Sequence, residues 1–530
     1  MPSNTTPGAP PPSHDAIVIG SGLGGLTAAA LLSHAGARVL VLERNATLGG
    51  AATTYSRGAL TIEASLHETT PALPGDPKRE LFDLLDLDDA LTLVPIPSLQ
   101  EVRWHGLGAP FRLPHGFDAI ETALTARFPD ARAAIHALLT QVRRTQHLAE
   151  YFDPGHDFWW RAGHVADLPL DLWAALRDIR ASLGDVFQRH FGDNEALKFA
   201  LCPNLAYYSD DPDRLWWMVF AMAQGGYMRT GGYYIRGGSQ QLTDRLVDKI
   251  REAGGTVLTN APATGIELDA EGAIASVRFL KDNATETVAA TRCVLANAAP
   301  HVIAPMLPEA ARPGFLQRFQ DRPLSISLVS ATLGLDRPPA EFGVSSYSTV
   351  LIPDWMQRFS DFARATPLFA ADPAGRMPAL VVVDYSQIDR GLAQDGLFPL
   401  NVVCPDRLEN WQGLDDAAYR ARRDAWLGAI VARLDAEWPG LGAAVRARHI
   451  ETARSMQAHL NTPGGAIYGF AAPPPDGFPK GPPIAPGTDV PGLWLASAYT
   501  GFGGFTGAMG GGIAAARAAM KAGLSGVTAD

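Results

Sequence analysis

The sequence predicts an α/β fold in which a parallel, helix-flanked sheet is assembled from segments that lie far apart in the chain, accompanied by a second unit of mixed α+β structure. Two patterns support this prediction: a strand, a glycine-rich turn and a helix follow one another near the start of the chain, and the same succession returns near its end. The length of 530 residues agrees with two units, because it exceeds what one hydrophobic core usually serves.

The first succession begins with an apolar run at residues 16–19, which predicts a buried parallel strand. The alanine-rich residues 23–32 predict the helix behind it, and Gly36 ends that helix. A second strand follows at residues 39–42 and leads into Glu43. Strand, turn, helix, strand and acid together predict a Rossmann-type nucleotide-binding unit.

The turn between the first strand and the helix has the pattern G-x-G-x-x-G. Gly20 allows the tight turn, Gly22 lets a pyrophosphate approach the backbone, and Gly25 lets helix and strand pack closely. The pyrophosphate then lies at the helix N-terminus, and Glu43 accepts hydrogen bonds from both hydroxyls of an unphosphorylated ribose. The predicted contacts of this dinucleotide site are Gly20, Ser21, Gly22, Gly24, Gly25, Glu43 and Arg44.

Two later glycine-rich segments indicate which dinucleotide binds. Residues 49–52 form a second turn of small residues, and residues 492–510 predict a short apolar strand and a glycine loop before a helix at 513–520. FAD needs a second site of this kind because its reduced ring carries negative charge at N1 and O2, which a helix N-terminus stabilises, whereas NAD does not. The predicted cofactor is therefore FAD, with further contacts from Gly49, Gly50, Ala51, Ala52, Ser497, Ala498, Gly504, Phe505 and Thr506.

These motifs, together with residues 234–242 (YIRGGSQQL) and 462–470 (TPGGAIYGF), resemble the phytoene desaturase-like branch of the FAD-dependent amine oxidase superfamily. That branch includes carotenoid desaturases, carotenoid isomerases and retinol saturases, and the resemblance runs from about residue 14 to residue 523. It implies an FAD-dependent oxidoreductase and places Ala263 at the adenine. One departure is that Ser497-Ala498 replace an acidic residue that often holds the ribityl chain, so we expect backbone N–H groups to make that contact.

The resemblance also implies how the chain is divided. We expect a GR2-like FAD-binding domain made of discontinuous segments and a mixed α+β substrate domain. The Pro, Ser and Thr content of the N-terminal residues separately predicts a disordered tail. The FAD-binding domain comprises residues 14–75, 230–300 and 451–523, the substrate domain residues 76–229 and 301–450, and the tail residues 1–13.

The middle segment of the expected FAD-binding domain has its own local pattern. Ser239 is predicted to cap a helix whose apolar face includes Leu242, Leu246 and Ile250. Strands are predicted after it at residues 256–259, 265–268, 273–280 and 293–296.

Composition excludes several classes of protein. A formal net charge of -11 and a pI near 5.6 argue against a nucleic-acid partner. The three cysteines, Cys202, Cys293 and Cys404, form no metal-binding or redox motif, which predicts no metal site and fits a reducing, cytoplasmic compartment. No stretch approaches the roughly 18 apolar residues that span a bilayer. Peripheral contact with a membrane stays open as one interpretation.

Residues 215–223 (LWWMVFAMA), followed by Tyr227, are apolar and aromatic. Three interpretations stay open: a buried core helix, one wall of a tunnel for a long polyene, and a helix that dips into a membrane. A hydrophobic small molecule is the expected substrate. Because no second nucleotide fingerprint follows a strand, we expect O2, a quinone or another separate electron carrier to exchange electrons with the flavin.

Desaturation or saturation of a carbon–carbon bond needs one group that moves a proton. His67 is the first candidate because a histidine can titrate near neutrality, and Glu68 and Tyr499 follow. The alternatives are a flavin amine oxidase, for which Tyr499 and Phe502 could form an aromatic cage, a redox-neutral FAD-dependent cis/trans isomerase, and a non-catalytic interaction protein that FAD stabilises.

Overall fold

The computed structural model describes residues 13–74, 76, 78–152, 158–389, 392, 396–477, 485–501 and 503–523. Residues 1–12 of the predicted tail lie outside this part of the chain, and Ser13, which was assigned to the tail, begins the first strand. The strands are β1 (Ser13–Ile19), β2 (Val39–Leu42), β3 (Thr54–Arg57), β4 (Leu60–Glu63), β5 (Leu93–Pro95), β6 (Gln100–Arg103), β7 (Phe111–Leu113), β8 (Tyr233–Ile235), β9 (Thr256–Leu258), β10 (Ala263–Leu268), β11 (Ile274–Lys281), β12 (Ala284–Ala296), β13 (Ser327–Leu335), β14 (Ser348–Leu351), β15 (Leu380–Asp384), β16 (Phe398–Asp406), β17 (Val445–Glu451) and β18 (Leu493–Leu495).

The α-helices are α1 (Leu23–His34), α2 (Arg79–Leu84), α3 (Phe117–Arg127), α4 (Arg132–Tyr151), α5 (Phe158–His164), α6 (Leu168–Arg177), α7 (Leu183–Phe191), α8 (Glu195–Leu201), α9 (Trp217–Thr230), α10 (Gln240–Glu252), α11 (Pro300–Ile303), α12 (Arg312–Gln317), α13 (Asp416–Glu437), α14 (Leu441–Ala444), α15 (Ala453–Leu460) and α16 (Gly504–Lys521). In the described part of the chain, no helix is long and apolar enough to cross a membrane.

The first of two seven-stranded sheets joins both ends of the chain to its middle. Its order is β10-β11-β12-β1-β2-β9, and β18 pairs with β12. The strands β9, β2, β1, β12 and β18 run parallel, while β10 and β11 pair antiparallel at one side. Residues 16–19 of β1 and all of β2 are buried on both faces, as expected for parallel strands between two layers. This arrangement brings α1 and α16, the two helices that follow glycine turns, side by side.

One prediction for the middle segment is wrong, and another is incomplete. Ser239 does not cap α10, because its backbone is already helical and its hydroxyl donates instead to the carboxylate of Glu63, at 2.6 Å. The predicted strand at residues 293–296 is confirmed, but it is only the end of the 13-residue β12, whose earlier residues pair with β11. Its first residues include threonine, glutamate and alanine, so the apolar pattern did not reveal them.

The second sheet has the order β17-β13-β16-β15-β14-β6-β7 and is antiparallel except where β14 meets β6. One face packs on α13 and α14 in a separate core, and the other face shares a core with α1, α9 and the helices of residues 117–201. This second face supplies tyrosines that hold the backbone of the candidate catalytic segment. The domain boundaries themselves stay a prediction.

Candidate active site

A cavity of about 2380 Å³ connects the two glycine turns with the face of α9. Ordinary small-molecule sites measure roughly 300–1,000 Å³, so this cavity has room for a cofactor and a second molecule. Nearly every residue predicted for cofactor binding or catalysis lines it. Gly25 is the exception, because it lies within α1 on the side packed against the Gly20 carbonyl oxygen and Asn297. The predicted residues that line it are Gly20, Ser21, Gly22, Gly24, Glu43, Arg44, Gly49, Gly50, Ala51, Ala52, His67, Glu68, Ala263, Ser497, Ala498, Tyr499, Gly504, Phe505 and Thr506.

Glu43 is the polar centre of the first glycine turn. Its carboxylate accepts hydrogen bonds from the Ser21 backbone N–H at 2.9 Å, from the Ser21 hydroxyl at 2.7 Å and from the Asn45 N–H at 2.8 Å. Two carboxylate oxygens offer about four acceptor positions, so capacity is left for a ribose hydroxyl. Glu43 therefore has two roles: it holds the first glycine turn in place, and it lines the cavity.

Replacing Glu43 with alanine is expected to weaken FAD binding by about 1–3 kcal/mol, roughly five- to 150-fold, because it leaves the donors of Ser21 and Asn45 unpaired as well as the ribose. The measurement is an equilibrium titration of apoprotein with FAD, followed by flavin fluorescence. Glu271→Ala, in the exposed turn between β10 and β11, is the matched control and should bind like wild type. An unchanged dissociation constant for the Glu43 variant would contradict the assigned ribose contact.

The helices α1 and α16 both present their N-termini to this cavity without a side-chain cap and without an acidic residue in the first turn. Such ends favour an anion, since their N–H groups and dipoles point toward it. Gly22 and Gly49 pair through a backbone bridge that brings the two small-residue turns together, and a Cβ at Gly50 would lie 3.2 Å from the Gly22 Cα. These features fit a dinucleotide whose pyrophosphate lies at α1 and whose ring lies at α16.

A buried carboxylate fixes the segment that carries the catalytic candidates. Glu63 accepts hydrogen bonds from the Thr54 hydroxyl, from Ser239 through both its N–H and its hydroxyl, and from the Leu66 N–H at 3.0 Å. Two tyrosines next to strands of the second sheet hold the same segment. The Tyr347 hydroxyl donates to the His67 carbonyl oxygen, and the Tyr385 hydroxyl donates to the Leu66 carbonyl oxygen. His67 and Glu68 therefore lie on a backbone held from two sides.

His67 differs from its prediction. Burial lowers its pKa to about 4, and its Nδ1 lies 2.8 Å from the Tyr207 hydroxyl. Burial also raises the pKa of Tyr207 well above its usual value, so both groups are neutral at pH 7. The expectation that His67 titrates near neutrality is wrong, because a buried imidazole without a carboxylate partner loses more in desolvation than it gains.

Glu68 is the group whose titration falls near neutrality. Burial raises its pKa to about 8, and no residue in the described part of the chain forms an ion pair or hydrogen bond with its carboxyl group. The side chain lies against the backbone of Gly232, where a Cβ would be 2.4 Å from Glu68 Oε2. Gly232 thus provides the space that the Glu68 carboxyl group occupies in the cavity wall.

Tyr499 lies in the cavity wall with its hydroxyl buried and without a hydrogen-bond partner among the described residues. Burial raises the pKa of this hydroxyl, so it stays protonated at neutral pH. Its ring meets Phe470 edge-on, at 5.0 Å and 87°, rather than as a parallel pair. The other ring of the cage considered from the sequence, Phe502, lies outside the described residues.

The position of α9 agrees with two of the three interpretations of its apolar sequence, a buried core helix and a cavity wall. Val219, Met222, Ala223, Gly226 and Tyr227 recur at helical spacing and line the cavity. The opposite face, which includes Trp217, Phe220 and Met228, is buried in the core. The helix is therefore both core and cavity wall, and the interpretation as a membrane-dipping helix stays a prediction.

Sequence reasoning missed several residues of the site. Asn297, at the end of β12, donates to the Gly20 carbonyl at 3.4 Å, and Lys78 donates to the hydroxyl of Thr506 at 2.7 Å in the first turn of α16. The cavity tyrosines Tyr207, Tyr208 and Tyr468 also line it. None of them stands in a local pattern that points to the site, except Tyr468, whose segment carried the family resemblance.

The parallel sheet, the two open helix N-termini and the shared cavity define a dinucleotide-binding flavoprotein. Residues 23–382 match the family described as flavin containing amine oxidoreductase, and the chain belongs to this family. The predicted α/β fold, FAD as cofactor and the class of FAD-dependent oxidoreductase are thereby confirmed.

Named relatives lie within the branch that the sequence resembles, which confirms that prediction too. The chain is 25% identical to the all-trans-retinol 13,14-reductase of Homo sapiens over 490 residues, which cover 87% of this chain and 77% of the relative. It is 26% identical to the phytoene dehydrogenase of Streptomyces griseus, with 83% and 82% covered, and 24% identical to the prolycopene isomerase of Daucus carota, with 88% and 73% covered.

Solved structures share the fold at low sequence identity. The cyclohexylamine oxidase of Brevibacterium oxydans superimposes with a TM-score of 0.59 at 17% identity and covers 96% of this chain and 99% of its own. An oxidoreductase from Methanosarcina mazei gives a TM-score of 0.58 at 17% identity with the same coverage. These similarities support the architecture alone.

Proposed function

We propose that this protein desaturates or saturates carbon–carbon bonds of a hydrophobic isoprenoid or polyene, with Glu68 as the group that gives or takes the proton. The observation that carries the proposal is the cavity wall, in which one face of α9 supplies apolar surface and Glu68 supplies an unpaired carboxyl group whose pKa burial raises to about 8. An extended hydrocarbon offers no polar atoms, so apolar contacts must hold it and few polar groups are needed. The three named relatives, which by their names act on retinol, phytoene and prolycopene, support the substrate class.

When bound, FAD supplies or accepts the hydride at one carbon of the reacting bond. The chain's own task is then to handle the proton of the neighbouring carbon. Protonated Glu68 can donate it during saturation, and ionised Glu68 can remove it during desaturation. Neutral His67, bonded to Tyr207, is suited to hold the segment in place rather than to exchange a proton.

The two electrons of each turnover need a partner outside the chain. Desaturation transfers them to an oxidant such as O2 or a quinone, and saturation takes them from a separate reduced carrier. Because the sequence holds one nucleotide fingerprint, we propose that this carrier docks transiently instead of occupying a nicotinamide domain.

Anaerobic flavin spectroscopy tests the proposal directly. Oxidised and photoreduced protein are mixed separately with phytoene, all-trans-retinol, prolycopene and cyclohexylamine. We expect a polyene either to bleach the oxidised flavin or to reoxidise the reduced flavin, with a product changed by two hydrogens. Bleaching by cyclohexylamine alone would support the amine oxidase alternative. A product changed only in double-bond geometry, with reduced flavin left unchanged, would support the isomerase.

A further inference from the structure

The helices α5 and α6 carry an exposed apolar surface that the proposed reaction does not use. Phe158 and Trp159 are 71% and 78% exposed, and Leu170, Trp173 and Leu176 follow along α6 with 52%, 67% and 43% exposure. Large apolar side chains this exposed, and this close together in the chain, mark a surface that contacts another apolar phase. We call these five residues the α5–α6 surface.

The polarity of α6 is inverted relative to an ordinary surface helix. Its buried side carries Asp171, which accepts hydrogen bonds from Arg144 at 3.2 Å and from His147 on α4. Its apolar residues 170, 173 and 176 share the opposite, exposed face. Helix α5 also packs on α4, through Trp160 and His164, whose rings lie 6.1 and 5.3 Å from that of His147. Both helices therefore direct their inner sides to the same residue of α4 and leave apolar outer sides.

The surface continues into the mouth of the cavity. Phe152, which directly follows α4 and is 63% exposed, lines the cavity, as do Leu73, Leu84 and Met222, which are 46%, 42% and 36% exposed. A second protein copy seated here would cover this mouth, whereas a lipid phase would supply it with hydrophobic molecules. Among the exposed residues of 158–177, Asp167 and Arg177 are the charged ones, so this surface is neutral although the chain carries a net charge of -11.

We propose that the α5–α6 surface docks the protein on a lipid bilayer and thereby opens the cavity mouth toward the membrane interior. The balance of Asp167 and Arg177 means that docking needs no anionic lipid. Exposed tryptophans suit this role because their rings favour the boundary between headgroups and acyl chains. The reason for docking rests on the proposed function, but docking itself is measured without any substrate.

The test is flotation of the full-length holoprotein with vesicles of phosphatidylcholine alone. Wild type should float, and the triple variant Phe158→Ser, Trp159→Ser, Trp173→Ser should lose at least about tenfold in partition to lipid. Leu280→Ser, which removes a 37% exposed apolar side chain from β11, is the matched control and should float like wild type. Flavin absorbance and melting temperature verify that the variants fold, since the changed residues do not line the cavity.

A second measurement needs no variant. Brominated phosphatidylcholine should quench part of the tryptophan fluorescence of wild type because Trp159 and Trp173 enter the headgroup region. Wild type that neither floats nor is quenched overturns the proposal, and so does equal flotation of wild type and the triple variant. A wild-type dimer that the triple variant converts to monomer, without flotation of either, shows that a second copy covers the surface instead. Because no polyene or redox reagent is present, these outcomes leave the spectroscopic test of the reaction untouched.

Discussion

Replacing Glu68 with glutamine is expected to slow the chemical step by about 10²- to 10⁴-fold while FAD stays bound, because glutamine keeps the shape of the side chain and cannot exchange a proton. The measurement is single-turnover flavin reduction or reoxidation by the active polyene, normalised to bound flavin. His67→Ala is the comparison and should stay within a few-fold of wild type after the same normalisation, since His67 is neutral at pH 7. An equally large loss of rate in the His67 variant would contradict this assignment and indicate that His67 transfers the proton.

The pH dependence distinguishes the two directions of the reaction. With its pKa raised to about 8 by burial, Glu68 is protonated at pH 7 and ionised above pH 8. Saturation, which needs the acid, should slow as the pH rises through 8, and desaturation, which needs the carboxylate, should accelerate over the same range. In Glu68→Gln this step of the profile should vanish.

The same group links pH to stability. Because the pKa of Glu68 in the folded chain lies above its ordinary value of 4.5, the folded state holds a proton that the unfolded state has released between these two values. The contribution of Glu68 to the unfolding free energy is therefore fully present below pH 4.5 and is lost as the pH rises toward 8. Glu68→Gln should remove this decline, which chemical denaturation at several pH values can measure.

The second large effect is expected at Gly24, where α1 meets α16. A Cβ there would lie 2.3 Å from the Ala496 carbonyl oxygen and 2.9 Å from that of Ala508, so two backbone segments would have to move apart. Gly24→Ala should lower the free energy of unfolding by about 3 kcal/mol or more, which is the upper end of the usual cost of overpacking. The same change should release FAD. Thermal unfolding with flavin release as a second signal measures both.

Gly428→Ala is the control for this substitution. Gly428 lies within α13, and a Cβ at this position would have no neighbouring atom within 4 Å, so alanine should stabilise the chain by about 0.5–1 kcal/mol through helix propensity. A Gly24 variant that has the melting temperature of the wild type and keeps its flavin would contradict this prediction. It would show that α1 and α16 can move apart at no cost in stability.

Prediction from sequence succeeded where the relevant physics is local. The turn at Gly20 requires φ of +95°, which favours glycine, and the strand and helix around it follow from apolar runs of the right length. Ser239 shows the limit: its position before α10 suggests a cap, but Glu63, 176 residues away, takes its hydroxyl. A partner so distant leaves no sign in the neighbouring residues.

The sequence by itself determined the nucleotide fold, the cofactor class and the family, because glycine turns and helix N-termini that bind a dinucleotide need particular residues at fixed spacing. The tertiary structure decided the chemistry of His67 and Glu68. Whether a histidine or a glutamate titrates near neutrality depends on how deeply folding buries the side chain and on whether a charged group lies beside it. It also decided that α9 faces the cavity and that α5 and α6 turn their apolar sides outward, since the side a helix exposes is set by what packs against it.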